Sequence, residues 1–171
     1  MPAPAVKPPD QAYKADKTDR NMSTNIDVLV VDDDPDYCEL TVAALNACGQ
    51  RATLCLHDGT DALDYLHGIN GFSGRDTADQ PRLVLLDLKL VKVHGLEVLR
   101  RMRGEPCSRN VPVVVLSGTD DQQALRECYD AGANSVVRKT VDYSELTRKI
   151  RGIFEFWLNV NQENGHSNVP V

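Results

Sequence analysis

Short apolar runs alternate with stretches of helical period from Ile26 onward, and five such pairs can be read along the chain. The run Ile26 to Val31 predicts a first strand. Asp34 followed by Pro35 predicts a helix start, with Leu40, Ala43, Ala44 and Ala47 on its apolar face and Gly49 closing it in a left-handed conformation. Ala52 to Leu56 reads as a second strand. Ala62, Leu63 and Leu66 mark a helix that stops at Gly68, and a loop rich in turn residues then runs to Pro81. Arg82 to Asp87 is apolar without alternation, as expected of a central parallel strand covered on both faces. Leu96, Leu99 and Met102 share one face of a third helix closed by Gly104, and Val113 to Leu116 is a fourth strand. Asp120 to Ala131 predicts a fourth helix with Ala124, Leu125, Cys128 and Ala131 inward, and Asn134 to Arg138 a fifth strand. Asp142 and Glu145 open a last helix, along which Leu146, Ile150, Ile153 and Trp157 recur at helical spacing.

Five strands, each followed by a helix, predict a doubly wound α/β domain. Parallel strands need right-handed crossovers, and these place helices on both faces of a five-stranded parallel sheet. The preceding residues 1 to 25 begin with four prolines in nine positions and show no apolar period, so they are expected to be a disordered tail. Met22 offers an alternative translation start. The domain is bounded at 26 to 158, with 159 to 171 as a short C-terminal tail too brief for a separate output domain.

Composition narrows the function classes. Lys and Arg number 19 against 25 Asp and Glu, a net charge of −6, which argues against a nucleic-acid partner held by phosphate contacts. No apolar run reaches the length of a membrane span and no secretory signal opens the chain, so no membrane partner and a cytoplasmic location are expected. Five cysteines without a C-x-x-C pair suit reduced core thiols, and the four histidines form no zinc spacing.

In a doubly wound sheet the ligand crevice lies at the carboxyl ends of the strands. Asp32 and Asp33 end the first strand, Asp87 the third, Ser117 the fourth, and Arg138 with Lys139 the fifth. Like charges about 4 Å apart repel by roughly 4 kcal/mol at an effective dielectric near 20, so three converging carboxylates call for a cation, and oxygen ligands that leave room for water suit Mg²⁺. A single Asp at a strand end is often only a helix cap, and Asp34 fits that role. The whole set is much harder to reach by chance.

The stretches VLVVDDDP, LVLLDLKLVKVHGLEVLRRMR, VPVVVLSG and SVVRK together resemble the receiver domain of two-component response regulators. The resemblance implies a flavodoxin-like sheet in the order 2-1-3-4-5. It implies that Asp87 accepts a phosphoryl group from a sensor histidine kinase. Asp33, Asp87 and the Lys89 carbonyl would then hold Mg²⁺ directly and Asp32 through water, with Ser117 and Lys139 binding the phosphoryl oxygens beside the N–H groups of Leu88 and Gly118. Lys89 and Thr119 are placed to tune a slow self-dephosphorylation. Lys89 also stands where an aspartyl phosphatase has its general acid, which argues against a dedicated hydrolase.

Several positions depart from the common receiver pattern. Val91, Val93 and His94 alter the loop after Asp87, Thr140 replaces the proline after Lys139, and Val136 stands where many receivers carry an aromatic switch residue. The ending KIRGIFEFWL, the residue after Lys139 and the long loop from Ile69 to Pro81 are similar to small regulators that partner phytochromes and bacteriophytochromes. That likeness implies a phytochrome-type kinase and a homodimer built through Phe154, Phe156, Trp157 and Leu158. A phosphorylation-independent dimerisation adaptor is the competing reading.

Overall fold

The computed structural model describes residues 26–50 and 52–162. Five strands, β1 (Val28–Val31), β2 (Thr53–Leu56), β3 (Leu83–Asp87), β4 (Val113–Ser117) and β5 (Ser135–Arg138), form one parallel sheet in the order β2-β1-β3-β4-β5. Helices α1 (Pro35–Ala47) and α5 (Tyr143–Phe154) cover one face. Helices α2 (Gly59–His67), α3 (Gly95–Gly104) and α4 (Gln122–Asp130) cover the other. Alternate residues of the central strands therefore feed two cores: Val28, Val30, Leu83 and Leu85 on the α1/α5 side, and Leu29, Val31, Val84 and Leu86 on the other. The predicted fold class and strand order are those observed. The proposed N-terminal tail and the end of the C-terminal one lie outside the described residues.

The helix starts follow their caps. Asp34 accepts N–H groups from Asp36 and Tyr37, at 3.0 and 3.2 Å, and Asp121 accepts that of Gln123 at 3.1 Å. Gly49 and Gly68 take the left-handed conformation at the ends of α1 and α2, with φ of 95° and 63°. Gly104 does not: it is the last helical residue of α3, and an extended Glu105 ends the helix.

Three apolar faces differ from expectation. In α1, Ala43 and Ala47 are exposed, and the inward stripe is Tyr37, Cys38, Thr41, Ala44 and Leu45. Its hydroxyls and thiol disguise a buried face as a mixed one. In α4, which begins at Gln122, only Cys128 is buried, because this helix covers the sheet edge at β5. Asp120 lies before the helix and pairs with Arg138 at 2.8 Å. Beyond α5 the chain widens into a π turn over Glu155–Val160, which replaces the i+4 step from Ile153 to Trp157 by an i+5 step to Leu158. Leu158 is buried as a result, and Trp157 is only half-buried.

The loop from Ile69 to Pro81 folds back on α2. Phe72 meets Tyr65 edge to face at 5.4 Å, and the Arg75 guanidinium lies 4.2 Å from the same ring. Arg103 ties α3 to both following loops by donating to the carbonyls of Arg109, Val111 and Gly132 and to Asn134 Oδ1, at 2.8 to 3.0 Å. All five cysteines are free thiols, and a hydrogen bond with Cys55 that favours the neutral Cys38 thiol, together with burial, pushes that thiol up. Among the described residues no helix is long and apolar enough to cross a membrane.

Candidate functional site

The parallel register brings the strand ends to one edge. Asp32 and Asp33 follow β1, Asp87 ends β3, Ser117 ends β4 and Lys139 follows β5. Because Asp87 pairs with Leu116 and Ser117 with Arg138, the hydroxyl and the ammonium each come from the strand next along. Asp32, Asp87 and Ser117 are buried, with 1%, 5% and 1% of their surface exposed. Buried polar groups of this kind are costly unless paired, so their partners decide what the site can do.

Lys139 Nζ lies 2.6 Å from Asp32 Oδ2 and 3.1 Å from Asp87 Oδ2. Burial draws its ammonium down, but the hydrogen bond and charge of Asp32 and the charge of Asp87 outweigh burial and hold it above the usual lysine range. Burial pushes the Asp32 carboxyl up, against the pull of Lys139. One ammonium thus pairs with two of three clustered carboxylates, and the cluster keeps a net negative charge.

Carboxylate oxygens of Asp32, Asp33 and Asp87 all lie within 4.8 Å of one another. An octahedral Mg²⁺ about 2.1 Å from each ligand spaces its oxygens about 3 to 4 Å apart, so the residues fit such an ion in both charge and span.

The backbone around Asp87 is fixed on both sides. The Lys89 N–H donates to Asp87 Oδ1 at 3.2 Å, and the Gly95 N–H donates to the Leu88 carbonyl at 3.0 Å. Leu88 differs from its expected role: its N–H donates to the Leu116 carbonyl at 3.3 Å, as a continuation of the β3–β4 ladder. The N–H facing the carboxylate is that of Lys89, whose side chain is exposed. Ser117 Oγ accepts the Thr119 N–H at 3.2 Å, which leaves its own proton free to donate, and Gly118 is exposed beside it.

Three contributors carried no sequence signal of their own. The Tyr37 ring lies 4.3 Å from Lys139 Nζ. A Cβ at Gly95 would run into the Asp87 carbonyl, so only glycine lets α3 start this close to the end of β3. Lys92, in the loop after Asp87, pairs with Asp58 at the start of α2 and holds that carboxyl below its usual range.

The family model described as response regulator receiver domain matches residues 28–151. The probable methanogenesis regulatory protein FilR2 of Methanothrix harundinacea is 37% identical over 139 residues, 81% of this chain and 87% of that protein. Several other curated relatives are longer, and the chain spans 54% or 50% of their length. Among solved structures, that of the phosphorylated cyanobacterial phytochrome response regulator RcpA superposes with a TM-score of 0.75 at 29% identity, covering 83% of this chain and 100% of that one. The Mn(2+)-bound form of Rcp1, a response regulator known from Synechocystis, gives a TM-score of 0.73 at 27% identity and covers 81% of this chain and 98% of that one.

Proposed function

The chain belongs to the response regulator receiver family, and from that premise we propose that it is a phosphoacceptor switch loaded on Asp87 by a sensor histidine kinase in a Mg²⁺-dependent reaction. The observation that carries this reading is the convergence of three carboxylates, one ammonium and one hydroxyl at a single sheet edge. A fold kept only as an adaptor has no use for so strained a charge cluster.

In the proposed step an Asp87 carboxylate oxygen attacks the phosphorus of a phosphohistidine. The P–N bond breaks, its electron pair stays on the imidazole nitrogen, and that nitrogen takes a proton from solvent. Phosphoryl transfer asks mainly for positioning and for neutralisation of the phosphoryl oxygens. Asp33, Asp87 and the Lys89 carbonyl would hold Mg²⁺, with Asp32 acting through water. When bound, the ion offsets charge on the transferred group and on the carboxylates. Lys139 exchanges its contact with Asp87 Oδ2 for a phosphoryl oxygen, the Ser117 hydroxyl donates to another, and the N–H groups of Lys89 and Gly118 complete the cradle. Movement of Ser117 toward the phosphoryl group shifts the β4–α4 loop, and this is the proposed signal. The exposed Lys89 supplies no acid at the leaving group, in keeping with a switch whose hydrolysis is slow.

Intact mass after incubation with acetyl phosphate tests the reading. A gain of one phosphoryl group is expected with Mg²⁺ and none with EDTA, and a folded protein that gains nothing from either this donor or a histidine kinase would overturn it.

The likeness to RcpA supports a phytochrome-type kinase as the donor. We also assign a homodimer to the last helix. Phe156 and Val160 are 51% and 62% exposed, and Phe156 and Trp157 meet edge to face at 5.0 Å. Leu158 is withdrawn from that surface by the π turn. Phe156→Asp is expected to convert a dimer to a monomer in size exclusion with light scattering; a wild-type monomer at high concentration, or a variant that remains dimeric, would remove the segment from the interface.

A further inference from the structure

Lys139 extends from the weakest place in the sheet. Among the described residues strand β5 pairs only with β4, its residues are half-buried or exposed, and the fifth-strand core cannot fix the lysine that follows it. A lysine side chain also loses rotamer entropy when held in one geometry. Something else must hold this ammonium over two buried carboxylates.

The structure shows a clamp centred on Thr140. Thr140 Oγ1 donates to Glu145 Oε2 at 2.9 Å and accepts the Asp142 N–H at 3.2 Å. Glu145 therefore does not reach back to the N-cap backbone as a capping box would; the threonine hydroxyl stands between them. Glu145 Oε1 also pairs with Lys149 at 2.9 Å, and Lys149 Nζ donates to the Arg138 carbonyl at 2.9 Å. The Lys139 N–H itself donates to the Ser117 carbonyl at 2.8 Å. The backbone is thus fastened before, at and after Lys139. From the other side α1 contributes Tyr37, buried, with its ring 4.3 Å from Lys139 Nζ and its hydroxyl facing the Thr140 N–H. A proline at position 140 would lack both that N–H and the hydroxyl.

We propose that Thr140 and Tyr37 are positioning residues for Lys139: the threonine fixes the backbone turn, and the tyrosine ring fixes where the ammonium lies above Asp32 and Asp87. The proposal deepens the phosphoacceptor reading and rests on it for its consequence for rate. Its geometric half can be read without any phosphorylation.

Two measurements test it. The first is the NMR shift of the Lys139 ε-methylene, identified by its loss in Lys139→Ala. Stacking on Tyr37 places it upfield of the other lysines; it should return to the common position in Thr140→Ala and stay upfield in Thr140→Ser. A Lys139 resonance at the common position in the wild-type protein, or one unmoved by Thr140→Ala, overturns the clamp.

The second is the rate of phosphorylation by acetyl phosphate. A side chain misplaced by an ångström can cost up to about a hundredfold, so a loss of roughly tenfold is expected for Tyr37→Leu and for Thr140→Ala, with recovery in Thr140→Ser. In a Lys139→Ala background, Tyr37→Leu should cost less than about twofold more, because its effect passes through the lysine. Wild-type rates in the single variants, or the same tenfold loss without Lys139, overturn the positioning role. A wild-type protein that takes up no phosphoryl group at all sinks the functional reading instead, and the NMR measurement still decides the clamp.

Discussion

Asp87→Asn is expected to take up no phosphoryl group while melting above the wild-type protein in EDTA. The first effect is absolute, since the amide has no carboxylate oxygen to attack phosphorus. The second follows from the charges. Asp87 lies with Asp32 and Asp33 within 4.8 Å and shares one ammonium with Asp32, so it faces two like charges and one opposite. Each such repulsion amounts to at most about 4 kcal/mol at an effective dielectric near 20, and most is offset by Lys139. A net gain on the order of 1 kcal/mol is expected for the variant, or roughly 3 °C in melting temperature for a domain of this size. Adding Mg²⁺ should reverse the ranking. The wild-type site is expected to bind the ion more tightly, and a ligand at a hundred times its dissociation constant stabilises by about 2.7 kcal/mol. Melting curves of both proteins across a Mg²⁺ titration check this. A variant that melts lower in EDTA would mean that the Asp87–Lys139 attraction outweighs the repulsion, and that the site is not held in readiness for a cation.

The sheet was legible because its strands are bounded apolar runs and its helix starts carry caps. Asp34, Asp121 and Asp142 all accept N–H groups from the first turns of their helices. What misled was the identity of inward residues wherever burial is not purely apolar. The inward stripe of α1 contains Tyr37, Cys38 and Thr41 beside Ala44, whereas Ala43 and Ala47, read as inward with it, point outward. At the end of α5 the error is one of period. A 3.6-residue repeat carries Trp157 inward, but the π turn gives the inward place to Leu158, and no local residue choice announces that switch.

The site was legible for a different reason. Parallel strands deliver their last residues to one edge, so Asp32, Asp33, Asp87, Ser117 and Lys139 could be collected by counting to the end of each strand. Roles set by the backbone could not be collected this way. Whether Leu88 or Lys89 turns its N–H to the carboxylate depends on where the β3–β4 ladder stops, and it runs one residue further than the strand. Tyr37 belongs to another element, and nothing in its neighbours along the chain connects it to Lys139; Thr140 follows Lys139 directly, but its sequence neighbours do not announce the bond of its hydroxyl to Glu145.

Gly95 is the sharpest case, because its role is read only from what a methyl group would strike. A Cβ there would collide with the Asp87 carbonyl oxygen, stand 2.8 Å from Leu88 Cα and 3.1 Å from the Leu88 carbonyl oxygen. All three are backbone atoms of Asp87 and Leu88, so none can swing aside as a side-chain tip would. Gly95→Ala must therefore push the start of α3 away from the end of β3, and this strains the Gly95 N–H bond to Leu88 as well. Overpacking of this kind costs about 1–3 kcal/mol, and moving Asp87 by an ångström should slow phosphorylation by as much as about a hundredfold. Gly104→Ala at the other end of the same helix is the control. A Cβ there meets nothing within 4 Å, and replacing a helical glycine by alanine stabilises by up to about 1 kcal/mol. The pair should part in both readouts, with Gly95→Ala less stable and slow to phosphorylate and Gly104→Ala at least as stable and as fast as the wild-type protein. If Gly95→Ala matches the control in phosphorylation rate, the close approach of α3 to β3 serves packing alone and does not hold Asp87 in place.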